Sequence, residues 1–311
     1  MSEITNFKLT KNIRQQIEWL PCFEKIDEIY PISEGFSHQC FRVVTQKKDY
    51  FVKYCVDNFT LANPEIGLTC LAAKAMLTPP VFYANKHWLV TDFVEGQTLN
   101  FSDIPFNEKI THCVKLMTEF HQLPIYSKQS LSVKLSTLNI ASAIDELVGL
   151  IHLLLSTEQH NLITQIKGKL CQKLVVNPRV ICHGDINFSN VLLGDRAWLI
   201  DFECGCLADI EFDIAMMIAV NSSRQKGQVF CVDEIAQHYQ KITKTQHKLS
   251  LDLIKHYMSF SFFINGLWYL WQALTNNGDY FYYLAEYQFN YFDQQGFFPD
   301  NVAEKMHMRK G

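Results

Sequence analysis

The side chains that could do chemistry together are concentrated between residues 180 and 203. Three apolar runs in this stretch are each too short for a helix and predict small buried strands: Val180–Cys182, Val191–Leu193 and Trp198–Ile200. Asp185 follows the first run, Asn190 precedes the second and Asp201 follows the third. Short strands that meet would bring their flanking residues together, so we expect these three side chains to converge in one small volume.

The three side chains combine two metal-ligand types with a second carboxylate. The amide oxygen of Asn190 and the carboxylate of Asp201 are hard ligands of the kind that Mg²⁺ accepts, leaving room for water and phosphate oxygens. Asp185 could then accept the proton of an attacking hydroxyl, which is the division of roles that phosphoryl transfer needs. A turn rich in Asp and Asn would explain one such residue, but not the whole string from His183 to Glu203.

This string resembles the catalytic and metal-binding segments of the aminoglycoside phosphotransferase / choline kinase superfamily, whose members are relatives of the protein kinases. The resemblance implies that Asp185 is the catalytic base and that Asn190 and Asp201 bind Mg²⁺. Ile-Asp-Phe-Glu, ending at Glu203, is more similar to the choline, ethanolamine and thiamine kinase branches than to the antibiotic kinases. Protein kinases would have His-Arg-Asp and Asp-Phe-Gly here, and neither occurs.

A lysine in an apolar strand stands well before this string. The run Tyr50–Cys55 predicts a strand, and its Lys53 is unusual because a buried ammonium needs a partner or water. A hairpin turn with Gly35 followed by a strand lysine resembles the nucleotide-covering loop and the phosphate-binding lysine of the kinase fold. The resemblance implies that Lys53 binds the α- and β-phosphates of ATP. Glu65, in a helix that starts near Pro64, is assigned as the ion-pair partner of Lys53.

A second pair of predicted strands, Pro79–Ala84 and His87–Gly96, ends where the superfamily has its inter-lobe hinge. The resemblance implies that the adenine of ATP lies against the backbone between Asp92 and Val94, whose N–H and C=O groups can read its edge. We therefore assign these two residues to the nucleotide through their main chain.

The order of elements predicts an α+β protein with a bilobal, protein-kinase-like fold. Residues 1–94 form a small nucleotide-binding lobe with an antiparallel sheet and a helix. Residues 95–311 form a larger, mainly helical lobe that carries catalysis and substrate binding. Helical spacing of apolar residues predicts the main helices of this lobe: Asn107–Gln122, 139–156, 158–174, Leu253–Ala273 and Asp279–Gln294.

The last two of these helices are rich in aromatic residues. Trp268 and Trp271 are one turn apart, and Tyr287 lies on the helix that follows. Such stripes suit a helix core or a cation–π cage for an ammonium ion, and the pattern does not choose between them. The segment resembles the C-terminal helices of choline/ethanolamine and bacterial thiamine kinases, which implies a small cationic alcohol as substrate. We assign Glu203, Trp268, Trp271 and Tyr287 to that substrate.

Composition limits the other functions. The 311 residues are 48% hydrophobic, enough for a sizeable core, and a net charge of −4 argues against nucleic acid as a partner. No apolar stretch reaches the length of a membrane span, and the N-terminus does not look like a signal peptide. The ten cysteines are scattered and predict reduced thiols rather than disulfides. We expect a cytoplasmic protein without a membrane partner.

Three hypotheses follow. The first is an ATP- and Mg²⁺-dependent kinase of a small cationic alcohol of the choline, ethanolamine or thiamine type. The second is an aminoglycoside-type antibiotic phosphotransferase, which is disfavoured because polycationic drugs call for clustered carboxylates rather than rings and spaced acids. The third is a non-catalytic nucleotide-binding relative, disfavoured because the base, both metal ligands and the strand lysine are all present.

Overall fold

The structure is a computed structural model, and it describes residues 10–32, 39–55, 64–125, 135–172, 179–222, 228–243, 248–276 and 279–307. The chain divides into two compact units. The first comprises Met1–Ser102, Leu123–Leu135 and Ser189–Gly205, and the second comprises Asp103–Gln122, Ser136–Phe188 and Cys206–Gly311. The predicted α+β class, with an antiparallel N-terminal sheet and a helical C-terminal region, is confirmed.

The first unit is built on a five-stranded antiparallel sheet with the strand order β1-β2-β3-β5-β4. Its strands are β1 (Glu28–Ile32), β2 (Gln39–Val44), β3 (Asp49–Tyr54), β4 (Val81–Ala84) and β5 (Trp88–Asp92). Phe41, Val43, Val52 and Val90 alternate inward along their strands and form the core with Ile17 of helix α1 (Lys11–Glu18). The strand β3 is the central one, and its residues Tyr50, Val52 and Lys53 are buried.

Helix α2 (Glu65–Lys74) follows in the same unit and presents an acidic residue at its start. Pro64 precedes its first turn, where the missing N–H of proline costs no hydrogen bond. Leu68 and Ala72 are fully buried, so this helix packs closely and fixes the direction of Glu65.

A smaller sheet in the first unit joins β6 (Gln97–Thr98), β8 (Val191–Leu193) and β9 (Ala197–Leu199) in that order. The strands β8 and β9 form an antiparallel hairpin in which Val191 lies opposite Leu199. Because β6 pairs with β8, the first unit extends to Ser102 and takes in Ser189–Gly205. This division differs from the predicted one at residue 94, since strand pairing between distant parts of the chain is not visible in local patterns.

The second unit is mainly helical. Its helices are α3 (Phe106–His121), α4 (Ile140–Ile151), α5 (Thr157–Leu170), α6 (Ile210–Ser222), α7 (Val232–Thr243), α8 (Leu251–Asn276), α9 (Asp279–Gln294) and α10 (Val302–Met306). Helices α8 and α9 approach closely at Gly266, where an added Cβ would lie 2.5 Å from the ring of Phe289. Helix α6 is buried along nearly its whole length and forms the centre of the unit.

The strands β7 (Val180–Cys182) and β10 (Cys206–Ala208) pair antiparallel in the second unit. The sequence predicted β7, β8 and β9 near their observed positions, but β7 pairs with β10 and not with the β8–β9 hairpin. A three-residue strand carries too little pattern to specify its partner, so this pairing was not predicted.

None of the helices in the described ranges, including the 26 residues of α8, is long and apolar enough to cross a membrane.

Candidate active site

Lys53 lies at the centre of a cluster of charges in the first unit. Its Nζ is 3.0 Å from Oε1 of Glu65 and 2.6 Å from Oδ1 of Asp201, and its side chain is only 6% exposed. Burial alone would lower the pKa of Lys53, but the carboxylates of Glu65 and Asp201 raise it well above the ordinary value. Lys53 is therefore a fixed positive charge that links two elements far apart in sequence.

Glu65 occupies the deepest part of this cluster, with a side chain that is 2% exposed. Burial raises the pKa of its carboxyl, and the ammonium of Lys53 opposes that rise. A carboxylate at this depth is costly without an opposite charge. The pair thus holds Lys53 in one place, which is what an orienting partner has to do.

Asp201 has an unusual backbone conformation. Its φ is +68°, in the left-handed region that few residues other than glycine adopt. The next residue, Phe202, is fully buried, and a turn closes with the N–H of Gly205 on the carbonyl of Phe202 at 3.1 Å. The buried ring fixes the chain on one side of Asp201, and the left-handed turn directs its 34% exposed carboxylate to Lys53. Strain of this kind is most often found at functional sites.

Asn190 and Asp201 flank the same end of the β8–β9 hairpin. The N–H of Ile200 donates to the carbonyl of Asn190 at 3.0 Å, which continues the pairing beyond the strands. An amide oxygen and a carboxylate in neighbouring positions are oxygen donors that suit Mg²⁺, which binds through one or two protein ligands plus phosphate oxygens and water. The residues present therefore fit the metal that the sequence predicts. Glu203 lies close enough to this cluster for its charge to raise the pKa of Lys53.

The predicted hinge segment has fewer hydrogen-bonding groups to offer than the sequence suggested. The N–H of Asp92 donates to the carbonyl of Pro80 at 3.0 Å, and the N–H of Phe93 donates to the carbonyl of Asp49 at 3.2 Å. In the described part of the chain, no residue accepts a hydrogen bond from the N–H of Val94. The carbonyl of Asp92 accepts a long bond of 3.3 Å from the hydroxyl of Thr91. The side chain of Asp92 is paired with Lys48, so its contribution to a base would come from the main chain.

Two close contacts fix the position of this hinge. A Cβ added to Gly194, in the β8–β9 turn, would lie 2.5 Å from Cγ1 of Val94. A Cβ on Gly96 would lie 1.9 Å from the carbonyl oxygen of Leu193, so the hinge and the turn touch through backbone. Glycine is therefore required at position 96, whereas a Cβ at position 194 fits only if the Val94 side chain moves.

Arg42 secures the hinge from the sheet side. Its guanidinium lies 2.5 Å from the carboxylate of Asp49 and 2.7 Å from that of Glu95, and it stacks 4.3 Å from the ring centre of Phe93. The loop residue Gly35, predicted to cover the nucleotide, lies outside the described residues.

In the second unit, the loop that carries Asp185 is held by helix α6. Asp213 accepts the N–H of His183 at 2.9 Å and the N–H of Gly184 at 2.8 Å, one on each carboxylate oxygen. About two turns further on, Asn221 accepts the N–H of Phe188 at 2.8 Å and donates to the carbonyl of Ile186 at 3.0 Å. The loop is thus fixed at both ends by the most buried helix of the unit.

Asp185 is the one residue between His183 and Phe188 that is not buried. Both of its carboxylate oxygens accept from Nδ2 of Asn187, each at 3.0 Å. Its own N–H donates to Nδ1 of His183 at 3.2 Å. The carboxylate is therefore fixed in direction at a position that is not buried, which suits a group that must accept a proton from another molecule.

A buried chain of hydrogen bonds supports Asp213 from behind. His121 Nε2 lies 2.9 Å from Asp213 Oδ2, and His121 Nδ1 lies 2.8 Å from the hydroxyl of Tyr239. Burial tends to raise the pKa of Asp213, but the hydrogen bond and charge of His121 and the contacts to His183 lower it below the ordinary value. Asp213 is therefore a stable anion in spite of its depth.

His121, Cys182 and Asp213 also place three potential metal-ligand atoms within 4.8 Å of one another. Each of them already makes a hydrogen bond, that of Cys182 being to the carbonyl of Asp209 at 3.5 Å. Burial raises the pKa of Cys182 well above its ordinary value, so it is a protonated thiol and a poor ligand. We interpret this group as structural support of the loop.

The aromatic residues assigned to the substrate fall into two ring clusters. Trp268 and Trp271 are half-buried and lie 6.5 Å apart between ring centres. Tyr287 instead contacts Tyr291 at 4.9 Å, and Tyr291 stacks on Phe262 of α8 at 5.2 Å. By helix geometry, the two tryptophans point about 120° and about 180° away from Phe262. The structure brings the tryptophans together and places Tyr287 in a separate cluster.

Several residues of the loop environment were not predicted as functional. Asn221 and Tyr239 have side chains whose partners belong to other elements of the chain, whereas Asn187 bonds to Asp185 two residues before it. Asn221 gave one signal, since a polar residue in the otherwise apolar run of α6 needs a buried partner.

Comparison with known proteins gives the family of the chain. The sequence profile of the phosphotransferase enzyme family matches residues 28–251. The chain belongs to this family. The predicted superfamily is thereby confirmed. The match includes Lys53, Asp185, Asn190 and Asp201, but it ends before Trp268 of α8 and before α9. No curated protein matches the chain in sequence.

Solved structures share the fold at low identity. An ethanolamine kinase of Plasmodium vivax has a TM-score of 0.67 at 14% identity, covering 94% of this chain and 92% of its own. Choline kinase LicA of Streptococcus pneumoniae has a TM-score of 0.67 at 17% identity, covering 91% and 98%. Aminoglycoside 2'-phosphotransferase-IIIa, solved as a GDP complex, has a TM-score of 0.58 at 15% identity, covering 91% and 95%. These similarities show the fold.

Proposed function

We propose that this phosphotransferase-family protein is an ATP- and Mg²⁺-dependent kinase that transfers the γ-phosphoryl group to the hydroxyl of a small cationic alcohol. The observation that carries the proposal is the cluster of Lys53, Glu65 and Asp201, a buried lysine held between two carboxylates. Such a cluster suits a site that binds phosphates and a metal ion. Nucleotide binding is supported by relatives of the same fold that were solved with AMP or GDP.

The hinge supports adenine as the base. The carbonyl of Asp92 can accept a hydrogen bond and the N–H of Val94 can donate one, while the N–H groups of Asp92 and Phe93 donate to the carbonyls of Pro80 and Asp49. Adenine offers a donor at N6 beside an acceptor at N1, which matches this pair. Guanine offers an acceptor at O6 beside a donor at N1, which opposes it. We therefore infer that ATP is preferred to GTP.

The charges of the first unit are suited to the phosphates. Lys53 would contact the α- and β-phosphates, with Glu65 holding its ammonium in place. Asn190 and Asp201 would hold Mg²⁺, whose role is to neutralise charge on the transferred group and to orient it. Rate acceleration then comes from positioning and charge neutralisation rather than from covalent chemistry with the protein.

Asp185 is assigned as the base. Its carboxylate accepts the proton of the alcohol as the alcohol oxygen bonds to the γ-phosphorus and the bond from that phosphorus to the β–γ bridging oxygen breaks. The products are the phosphorylated alcohol and ADP. The fixed, half-buried carboxylate of Asp185, at the one position of residues 183–188 that is not buried, supports this role.

The class of acceptor is inferred from the two tryptophans of α8. Trp268 and Trp271 are half-buried rings in contact, and ring faces attract a quaternary or aromatic ammonium by roughly 0.5–2 kcal/mol each. Choline and ethanolamine kinases occur among the solved structures of the same fold, which supports this class of alcohol. An aminoglycoside phosphotransferase also occurs among them, so an aminoglycoside is the second candidate acceptor.

An acceptor panel tests the proposal. Purified protein is incubated with Mg²⁺, [γ-³²P]ATP and one of choline, ethanolamine, thiamine or kanamycin, and labelled products are separated. The proposal expects transfer to one or more of the three small alcohols, and loss of transfer when Mg²⁺ is chelated. Transfer to kanamycin alone would establish the second candidate. ATP binding without transfer to any acceptor would favour a non-catalytic relative.

A further inference from the structure

We propose that Asn187 is a positioning residue that fixes the direction of the Asp185 carboxylate and keeps it ready to accept a proton. Its catalytic meaning rests on the proposed function. The proposal is based on the side-chain amide of Asn187, which donates to Oδ1 and to Oδ2 of Asp185 at 3.0 Å each. A second link runs through the main chain, where the N–H of Asn187 donates to the carbonyl of Asp185 at 2.9 Å.

The two side chains of this contact differ in burial. Asn187 is 9% exposed, whereas Asp185 is half-buried and faces outward from the same loop. The amide therefore reaches the carboxylate from the protein side. It contacts both oxygens of the carboxylate from that side, and each oxygen has more than one acceptor site.

The neighbours of Asn187 are fixed, so its amide cannot follow a carboxylate that rotates away. Ile186 and Phe188 are buried, and both are hydrogen-bonded through their main chain to Asn221. The ring of Phe188 also packs edge-on against Phe106, with 6.2 Å between ring centres. A donor held this firmly restricts Asp185 to one orientation, and it favours the ionised form of the carboxylate over the protonated form.

Three variants separate hydrogen bonding from volume. Asn187→Leu keeps roughly the same volume and removes the donor, Asn187→Ala removes both, and Asn187→Ser retains one short donor. Asn290→Ala, on the exposed side of α9, is the matched control. We expect kcat to fall roughly tenfold in the Leu and Ala variants, the effect of losing one hydrogen bond to a charged group. We expect the KM for ATP to stay unchanged and the Ser variant to recover part of the loss.

Two further readouts distinguish positioning from general structural damage. The acid limb of the pH profile of kcat/KM should move to higher pH in the Leu variant, because the carboxylate has lost donors that favour its ionised form. The Asp185 carboxyl carbon, assigned by its absence in Asp185→Asn, is followed by ¹³C NMR and should titrate at higher pH in the Leu variant than in wild type. This second readout requires no turnover.

These measurements distinguish failure of the positioning role of Asn187 from failure of the proposed kinase function. Turnover within twofold of wild type in the Leu variant, with an unchanged carboxyl titration, would overturn the proposal while the kinase assignment stands. If wild type transfers phosphate to none of the acceptors, the proposed function fails, and the titration alone decides whether Asn187 holds Asp185. An unchanged titration then rejects the positioning role as well, whereas an upward shift supports it.

Discussion

The ammonium of Lys53 and the carboxylate of Asp201 are 148 residues apart in the chain and 2.6 Å apart in space. The contact joins the central strand of the large sheet to the turn that follows the β8–β9 hairpin. Asp201 meets Lys53 from a left-handed backbone conformation, so the chain accepts local strain to make this contact. The relationship puts a predicted phosphate ligand and a predicted metal ligand into a single cluster within one unit of the fold.

Removing Lys53 should destabilise the protein strongly. Lys53→Met would leave Glu65 as a buried carboxylate without its nearby ammonium, and breaking a buried pair in this way typically costs about 3–5 kcal/mol. The measurement is urea unfolding of Lys53→Met, Glu65→Gln and the double variant. The double variant should be more stable than the sum of the single losses predicts, because the two residues depend on each other. Lys47→Met, which removes an exposed pair with Glu24, should change little. Additive losses would contradict the pairing.

The contribution of Asp213 to the free energy of unfolding should decrease as the pH falls. The pKa of Asp213 is lower in the folded protein than its ordinary value of 3.8, so folding favours the ionised carboxylate. The stabilisation is fully present above this ordinary value and is lost as the pH falls through the lower, folded-state value. In urea unfolding from pH 7 downward, wild type should therefore lose its advantage over Asp213→Asn as the pH falls. Asp300→Asn, which removes an exposed carboxylate, is the control. A constant difference between wild type and Asp213→Asn would refute this assignment.

The Gly194 contact should control nucleotide affinity. Gly194→Ala places a Cβ 2.5 Å from Cγ1 of Val94 and so displaces the hinge N–H that we assign to adenine. We expect calorimetry to show ATP binding that is weaker by roughly tenfold, the loss of about one hydrogen bond. The double variant Gly194→Ala/Val94→Ala relieves the contact and should recover most of the affinity. Gly168→Ala, where an added Cβ meets no atom within 4 Å, should bind ATP as wild type does. Unchanged affinity in Gly194→Ala would remove the hinge from the nucleotide site.

Trp268 and Trp271 should affect the KM for an ammonium-bearing alcohol and not the KM for ATP. If Trp268 and Trp271 present ring faces to an ammonium ion, Trp268→Leu should raise the KM for a trimethylammonium alcohol several-fold and leave the KM for ATP unchanged. Trp268→Phe should have a smaller effect because it keeps a ring. Tyr287→Leu lies in the other ring cluster and should affect stability more than KM. Equal effects of Trp268→Leu and Trp268→Phe would indicate packing rather than cation binding.

The sequence allowed much of the fold to be predicted, for identifiable reasons. Short apolar runs bounded by polar residues predicted β7, β8 and β9, and Lys53 stood out because a charged residue in an apolar strand needs a partner. The partner proposed for it, Glu65, lies 3.0 Å away in the structure. The order of these features along the chain also gave the superfamily, which the match to the phosphotransferase enzyme family confirmed.

Other features depend on tertiary packing and left little trace in the sequence. The pairing of β7 with β10 and the support of the loop by Asn221 each join residues that are far apart in the chain. The helical stripe of rings indicated aromatic packing but did not separate Tyr287 from the tryptophans, since that depends on which side of α8 faces α9. The roles of Asp185 and the metal ligands stay predictions that experiment must decide.

The catalytic role of Asp185 is tested most directly by comparing wild type with Asp185→Asn in two measurements on the same preparations. Calorimetry follows Mg²⁺-dependent binding of a non-hydrolysable ATP analogue, and a rapid-quench assay follows the first turnover with the best acceptor of the panel. We predict nucleotide binding within about threefold of wild type and a loss of at least about a hundredfold in the rate of transfer. Transfer at the wild-type rate in Asp185→Asn would contradict the role of Asp185 as the base, and the absence of Mg²⁺-dependent nucleotide binding in wild type would contradict the proposed kinase activity.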